Sequence, residues 1–441
     1  MRLRPYRLRS ADLATRLLFG VFAVLLIIGV PVAFALSAAS LATVLYLGLP
    51  SLVVVQQLAA GASLTTLTAI PLFIFAGEMM MRGGISDRLI ALASSLVGHL
   101  RGGLGQINVL SSLFFGGVSG SAIADASAIG GAMIPQMVNR GFDRDFAVSV
   151  TVSSAVVALL IPPSHNLILY SASAGGAISI ADLFAAGIIP ALLLTGVLMI
   201  TGAAMARRRK YAVEAFPGFG TVLHRLVAAL PGLLLVGVIF GGIRAGVFTA
   251  IESASIAVVY AIAVTAVVYR KLSWQNFVDA CTGAVRTTGL IVFVIGAAAS
   301  FGWLLAYLQV PAAAVQVLTS ITHDRYLLLL LMIVILLVLG TFMDLAPLII
   351  ICTPIFLPVA KAIGIDPVHF GVILILKGGL GLITPPIGSV LFVGAAIGRI
   401  SVVDVLRTIW PFYLSILGVL LVVAYVPALS LWLPGVLRAA G

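Results

Sequence analysis

The chain of 441 residues is 62% hydrophobic and only 9% charged, with a mean hydropathy of +1.23. A soluble domain has about 25% charged residues, so the composition excludes an ordinary soluble protein and indicates a multi-pass membrane protein. The net charge of +11 reflects few acids, and its arginine clusters carry no aromatic or glycine motif of the kind that accompanies nucleic-acid binding.

The first hundred residues predict helices at and in the membrane. Residues 17–48 are apolar and interrupted at Pro31, which predicts one kinked helix or two shorter ones, retained rather than cleaved as a signal peptide. Residues 66–82 predict a further span. Residues 85–101 have leucines on one helical face, which favours a helix lying along the interface, with a short packed core helix as the alternative.

The central stretch of the first half is FGGVSGSAIADASAIGGAMIP, residues 115–135. Its single charge, Asp125, costs roughly 2.5–3.5 kcal/mol at membrane depth. Glycine-loosened backbone at that depth must be buried in protein or line a wet cavity. We therefore predict a re-entrant helical hairpin over about 104–137, with its tip from Ser119 to Asp125. A kinked helix with a Gly/Ser packing face is the alternative.

Proline breaks the next helix of the first half. Residues 146–173 predict a helix interrupted at Pro162–Pro163, because proline lacks the backbone donor and disfavours helix in the preceding residue. A span over 181–206 follows, and residues 211–221 are expected to form a linker.

The second half repeats this plan. Asp125 matches Asp344 at an offset of 219, and Pro163 matches Pro386 at an offset of 223. A near-constant offset indicates an internal duplication, which predicts repeat 1 over 17–210 and repeat 2 over 222–436. The second hairpin is expected at about 326–360 and the second broken helix at about 367–397. With an odd number of crossings each, the repeats would have inverted topology, and broken segments at matching places indicate a transporter binding site.

Oxygen atoms gather at the predicted breaks, and oxygen is the ligand that a hard cation prefers. The candidate ion- or substrate-binding residues are Ser119, Ser121, Asp125, Pro162, Pro163, Ser164, Asn166, Thr341, Asp344, Lys377, Thr384, Pro385, Pro386 and Ser389. A Na⁺ ion is expected near Ser119, Asp125, Asp344 and Thr384. Half-helix N-termini at the same depth favour an anionic substrate. The alternative for each hydroxyl is that it only satisfies broken backbone.

Lys377 lies about 14 Å into the second broken helix, close to the middle of the membrane. Two hypotheses follow. Lys377 pairs with Glu78 or Glu252 as a packing residue, or its ammonium stands in for part of a cation site or holds an anionic substrate.

An intramembrane serine protease is the alternative function. The GVSG segment resembles a G-x-S-G nucleophile, for which only His165 and His369 lie near breaks to act as a base. The duplication partner GTFMD has no serine, which favours an ion site.

The chain resembles the large membrane subunit of a tripartite ATP-independent periplasmic (TRAP) transporter. The matching segments are GGVSGSAIADASAIGGAMIP, IPPS at 161–164, FTAIESASIAVVYA, GIDPVHFGVI at 364–373 and TPPIG at 384–388. Lys377 departs from the family, which more often has asparagine there.

The resemblance implies an elevator-type secondary transporter of the bacterial inner membrane, not an enzyme. It implies Na⁺-coupled uptake of an organic acid, such as a C4-dicarboxylate or a sugar acid, with no other cofactor. It also implies two partners, a periplasmic substrate-binding protein and a small four-helix membrane subunit, which we expect on a separate chain.

Overall fold

The computed structural model describes residues 4–211, 215–322 and 324–439, and this part of the chain forms helices and no strand. The predicted linker falls partly on residues 212–214, which lie outside the described residues. The helices of the first half are α1 Arg4–Ile27, α2 Val32–Tyr46, α3 Leu52–Ala62, α4 Ala69–Arg82, α5 Ile85–Val97, α6 Gly103–Ser119, α7 Ala122–Asn139, α8 Arg144–Ser154, α9 His165–Ser173 and α10 Ile180–Arg208. Those of the second half are α11 Phe219–Arg244, α12 Ala250–Ala263, α13 Trp274–Tyr307, α14 Val310–Ile321, α15 Arg325–Phe342, α16 Leu345–Ala362, α17 Pro367–Leu382, α18 Ser389–Gly398, α19 Val402–Tyr425 and α20 Ala428–Ala439.

Within the described residues, seven helices are long and apolar enough to cross a membrane. They are α10, α11, α12 with its π-helical extension to Val268, α13, α15, α16 and α19. The predicted class, an all-α multi-pass membrane protein, is thereby confirmed.

A first group of helices contains neither hairpin and is called the scaffold here: α1 to α4 with α11, α12 and α13. It contacts the hairpin arms where α4 and α11 lie against α6 and where α13 lies against α16. Helix α13 lies against α2, α3 and α4, and α12 lies against α4 and α11. The helices approach closely where residues are small: a Cβ added to Gly296 of α13 would lie 2.9 Å from the carbonyl oxygen of Leu58. Small residues at such crossings let two backbones pack directly against each other.

The second group, α6 to α10 with α15 to α20, is called the core group here, and it interleaves the two halves of the chain. The second arm of the first hairpin, α7, packs against α18, while α16 packs against α9. Each hairpin therefore contacts the far segment of the other half's broken helix. The amphipathic helices α5 and α14 join the groups, α5 between α11 and α6, and α14 against α16.

Matching serines begin the helices that close each half. Ser179 Oγ accepts from Asp182 N at 3.2 Å at the start of α10, and Ser401 Oγ accepts from Asp404 N at 3.2 Å at the start of α19. Such caps satisfy donors that a helix N-terminus otherwise leaves free. The division into two repeats remains a prediction from the sequence, to which these equivalent caps add support.

The helix boundaries agree with some of the sequence-based predictions and differ from others. The apolar run 17–48 forms two helices, α1 and α2, as one of the two predicted arrangements has it, although α1 begins earlier, at Arg4. Helix α3 was not predicted, because its 11 residues are too short to span. Helix α13 begins at Trp274, so its first turns include the polar residues Gln275, Asn276 and Asp279. Helix α11 begins at Phe219, inside the predicted linker.

Candidate functional site

The tip of the first hairpin is the short turn between α6 and α7. Gly120 takes a left-handed conformation with φ of 60°, and Ser121 caps α7 by accepting from Ala124 N at 3.3 Å. A Cβ at Gly120 would clash with the carbonyl oxygen of Pro163, so glycine lets the tip rest directly on the proline break.

The breaks are held by hydroxyl groups. Ser164 Oγ donates to Leu159 O at 2.7 Å in the first break, and Thr384 Oγ1 donates to Leu380 O at 2.6 Å in the second. Cis peptide bonds join Pro162–Pro163 and Pro385–Pro386. Each hydroxyl satisfies a backbone carbonyl at its break, which is the alternative role that the sequence analysis gives to single hydroxyls. Each hydroxyl oxygen still keeps lone pairs for a ligand.

The tip of the second hairpin, between α15 and α16, is bonded to the second break. Ser389 Oγ donates to Asp344 Oδ1 at 3.2 Å, and Ile387 N donates to the carbonyl oxygen of Thr341 at 3.3 Å. The hydroxyl of Thr341 itself donates to Val338 O at 2.8 Å. The sequence-predicted residues Thr341, Asp344, Thr384 and Ser389 therefore lie in one region.

A cavity of about 500 Å³ lies between the two tips, the first break and the scaffold. Ser119, Ser121, Asn166 and Asp344 line it from the core group. The scaffold contributes Ile74, Gly77, Glu78 and Met81 of α4 and Thr287, Leu290 and Ile291 of α13. The N-termini of α7, α9 and α16 all reach this cavity, and a helix N-terminus presents free N–H groups and a partial positive charge.

Asp125 lies elsewhere, fully buried behind the first tip, and does not line this cavity. Ser112 Oγ donates to Asp125 Oδ2 at 2.7 Å and lies 3.1 Å from Ser154 Oγ. Ser154 Oγ donates to Asn108 Oδ1 at 3.1 Å, and Asn108 Nδ2 donates to Thr151 Oγ1 at 2.6 Å. Asp125 Oδ1 has no hydrogen-bond partner in the described residues. Asp344 lines the cavity and Asp125 does not, although both were expected around the same ion.

The polar cluster around Asp125 was missed by the sequence analysis. Asn108 and Ser112 are one helical turn apart on α6, and Thr151 and Ser154 are one turn apart on α8. This i, i+4 and i, i+3 spacing was the available signal.

Lys377 is fully buried, and its Nζ has no hydrogen-bond partner in the described residues. A Cβ at Gly340 would clash with this Nζ, so the ammonium lies directly against the last turn of α15, beside the second tip. The pairing with Glu78 or Glu252 is wrong: Glu78 pairs with Arg82 at 3.5 Å, and Glu252 accepts from Thr249 N at 2.7 Å.

The protease alternative gains no support from the geometry. Ser119 Oγ accepts from Ser121 N at 3.4 Å, and no hydrogen bond joins Ser119 to a histidine among the described residues. His369 Nε2 instead contacts the carbonyl oxygen of Ala424 at 3.2 Å. A serine nucleophile requires a positioned base.

Comparisons with known proteins agree on one family. The family model described as the tripartite ATP-independent periplasmic transporter, DctM component, matches residues 19–429. The chain is 34% identical to the 2,3-diketo-L-gulonate TRAP transporter large permease protein YiaN of Escherichia coli K12, over 91% of this chain and 94% of that one. It is 36% identical to the sialic acid TRAP transporter large permease protein SiaM of Vibrio cholerae, over 93% of this chain and 96% of that one.

A solved structure shares the fold. The YdaH transporter of Alcanivorax borkumensis matches with a TM-score of 0.60 at 16% identity, covering 84% of this chain and 86% of that one. Taken with the seven apolar helices and the family match, these findings identify the chain as a member of the DctM family of TRAP transporter large permeases, a multi-pass protein of the bacterial inner membrane.

Proposed function

We propose that this chain carries an organic acid across the inner membrane, driven by Na⁺ and supplied by a periplasmic substrate-binding protein. The observation that carries the proposal is the cavity of about 500 Å³ at which three helix N-termini meet. Free N–H groups at helix N-termini favour a carboxylate without placing a full positive charge in the membrane. Hydroxyl and amide groups of Ser119, Ser121 and Asn166 add hydrogen bonds to a polar substrate.

The substrate class follows from this chemistry. Relatives of this chain are named for sialic acid and for 2,3-diketo-L-gulonate, both of which carry a carboxylate and many hydroxyls. A sugar acid or a C4-dicarboxylate fits a cavity with several helix N-termini. Of the two carboxylates that the described residues contribute to the lining, Glu78 is paired with Arg82, and Asp344 is proposed below to bind Na⁺.

Two places in the core group have the oxygen atoms that Na⁺ requires. One place is the tip of the second hairpin, where Ser389 Oγ lies 3.2 Å from Asp344 Oδ1 beside the carbonyls released by the second break. The other place is the buried polar cluster around Asp125, where Asp125 Oδ1 has no hydrogen-bond partner among the described residues. Buried carboxylates are costly without a counter-charge, which a bound cation supplies. We propose that Na⁺ binds at one or both places.

Partners complete the system. We propose that a small membrane subunit and a periplasmic substrate-binding protein work with this chain. Reconstituted with the small subunit, the permease should take up substrate from low external concentration only when the cognate binding protein is added, with a loss of more than tenfold without it. Uptake that is equal with and without the binding protein would make this chain an ordinary two-ended carrier.

We also propose that the core group moves against the scaffold during transport. A cross-link between Gly117 of α6 and Val236 of α11 tests this movement. A Cβ at Gly117 would lie 2.7 Å from Val236 Cγ2 across the boundary between the groups. In a variant lacking the native Cys281 and Cys352, the pair Gly117→Cys and Val236→Cys should form a disulfide on oxidation. Oxidation should reduce uptake more than tenfold, and a reducing agent should restore it.

A matched pair within the scaffold provides the control. A Cβ at Gly83, the residue after α4, would lie 2.7 Å from Thr265 Oγ1 at the end of α12. The pair Gly83→Cys and Thr265→Cys should therefore cross-link equally well without stopping transport. Full uptake by the oxidised Gly117/Val236 pair would contradict movement between the two groups.

A further inference from the structure

A second pocket, of about 410 Å³, lies away from the transport cavity, between α5, α11 and the segment that follows α12. Arg88, Arg225, Lys271 and His224 line it, and Asp87 is the one acidic residue that the described part of the chain contributes. This basic pocket, as it is called here, has no part in the function proposed above.

The basic side chains are held in place without being neutralised. Arg88 lies over the ring of Tyr269 at 3.7 Å and donates to the carbonyl oxygen of Gly84 at 2.8 Å. Arg225 of α11 donates to Ala91 O of α5 at 3.0 Å. In the described part of the chain, neither arginine forms an ion pair, and Lys271 forms none either. Among the described residues their remaining N–H donors have no partner and can bind an anion, and guanidinium suits the oxygen atoms of phosphate.

The pocket lies at one surface of the membrane. Helices α11 and α12 are spans joined by a short loop, so the start of α11 and the end of α12 lie on the same side. That side carries Arg225, Arg270 and Lys271, whereas the α11–α12 connection has only Arg244. The excess of basic residues assigns the pocket to the cytoplasmic surface, where anionic lipids are met.

Apolar side chains extend from the pocket along the same helix. Leu223, Val227 and Leu230 of α11 are 63%, 60% and 42% exposed and follow one another at helical spacing. A free phosphate ion gains nothing by contact with an apolar surface, whereas the acyl chains of a phospholipid bury it favourably.

We propose that the basic pocket binds the phosphate of an anionic phospholipid headgroup. Because Arg88 belongs to α5 and Arg225 to α11, one phosphate bridges the two helices. Helix α5 leads into the first arm of the first hairpin, so the bound lipid holds this connection against the scaffold.

Binding of phosphatidylglycerol to the purified full-length permease, measured by native mass spectrometry, tests the proposal. The double variant Arg225→Gln, Lys271→Gln should bind it roughly 30-fold more weakly, since each basic residue near the surface contributes about fivefold in affinity. The control Arg244→Gln, Arg325→Gln removes the same charge outside the pocket and should bind like the parent. Lys271→Gln alone, at an exposed residue, should cost about fivefold and serves if the double variant fails to fold.

Two results would overturn the proposal. Equal affinity of the parent, pocket variants and control for phosphatidylglycerol would show that the pocket holds no headgroup. Displacement of phosphatidylglycerol by inorganic phosphate at equal concentration would make the ligand a free anion rather than a lipid. Phosphatidylcholine carries the same phosphate beside its own positive choline, so the double variant should weaken its binding less than that of phosphatidylglycerol.

Discussion

Asp344→Asn is expected to abolish Na⁺-driven uptake while leaving the protein inserted in the membrane. The substitution keeps the shape of the side chain and a possible bond from Ser389, which now lies 3.2 Å from Asp344 Oδ1. It removes the negative charge, which interacts with a cation at 4 Å by about 4 kcal/mol at an effective dielectric constant of 20. The apparent affinity for Na⁺ should therefore fall by on the order of 100-fold or more, as measured by uptake into vesicles over a range of Na⁺ concentrations.

Asp324→Asn is the matched control on the same hairpin. Asp324 caps α15 at its far end by accepting from Leu327 N at 2.7 Å, and asparagine caps helices equally well. This control should transport like the parent. Asp125→Asn should behave like Asp344→Asn if the buried cluster also holds an ion. Full activity in both Asp344→Asn and Asp125→Asn would contradict the proposal that these carboxylates bind Na⁺.

Lys377→Met is expected to change the Na⁺ dependence of transport and to raise thermal stability. Lys377 Nζ is buried against Gly340 without a hydrogen-bond partner in the described residues. A buried amino group without a hydrogen-bond partner loses its bonds to water on folding, so an apolar side chain of similar volume should be more stable there. If the ammonium occupies part of a cation site, its removal should increase the number of Na⁺ ions transported per substrate or shift the apparent Na⁺ affinity at least tenfold.

Lys377→Asn separates the two effects, because asparagine offers an oxygen ligand in the space that the ammonium leaves. Its Na⁺ affinity should be higher than that of Lys377→Met. Lys361→Met, at an exposed residue near the end of α16, is the control and should leave Na⁺ dependence unchanged. Identical Na⁺ dependence in the parent and both Lys377 variants would make Lys377 a packing residue.

Local chemistry explains what the sequence predicted well. Glycine at the first tip, the paired prolines of the breaks and the lone Asp344 each act through their own backbone or side chain. The local structure that these residues favour can therefore be predicted without knowing which residues pack around them. The structure places helices α6, α7, α15 and α16 around these residues.

Contacts between distant segments explain what the sequence did not predict. Asp125 accepts a hydrogen bond from Ser112 Oγ and does not line the cavity that Asp344 lines. Its helix α7 packs against α8 and α18, an arrangement that the helical patterns do not determine. One hypothesis paired Lys377 with Glu78, but the Glu78 carboxylate already forms an ion pair with Arg82, one turn along α4. Periodicity describes one helix at a time, so it cannot tell which acid reaches which base.

The most direct test of the central claim is substrate uptake into vesicles containing the permease and its small subunit, with binding protein outside, under an imposed Na⁺ gradient. We expect uptake above the external concentration when Na⁺ is outside, and a loss of more than tenfold when K⁺ replaces it, with no response to ATP. Uptake of the same rate and extent in K⁺ buffer, or uptake that requires ATP, would contradict Na⁺-driven transport by this protein.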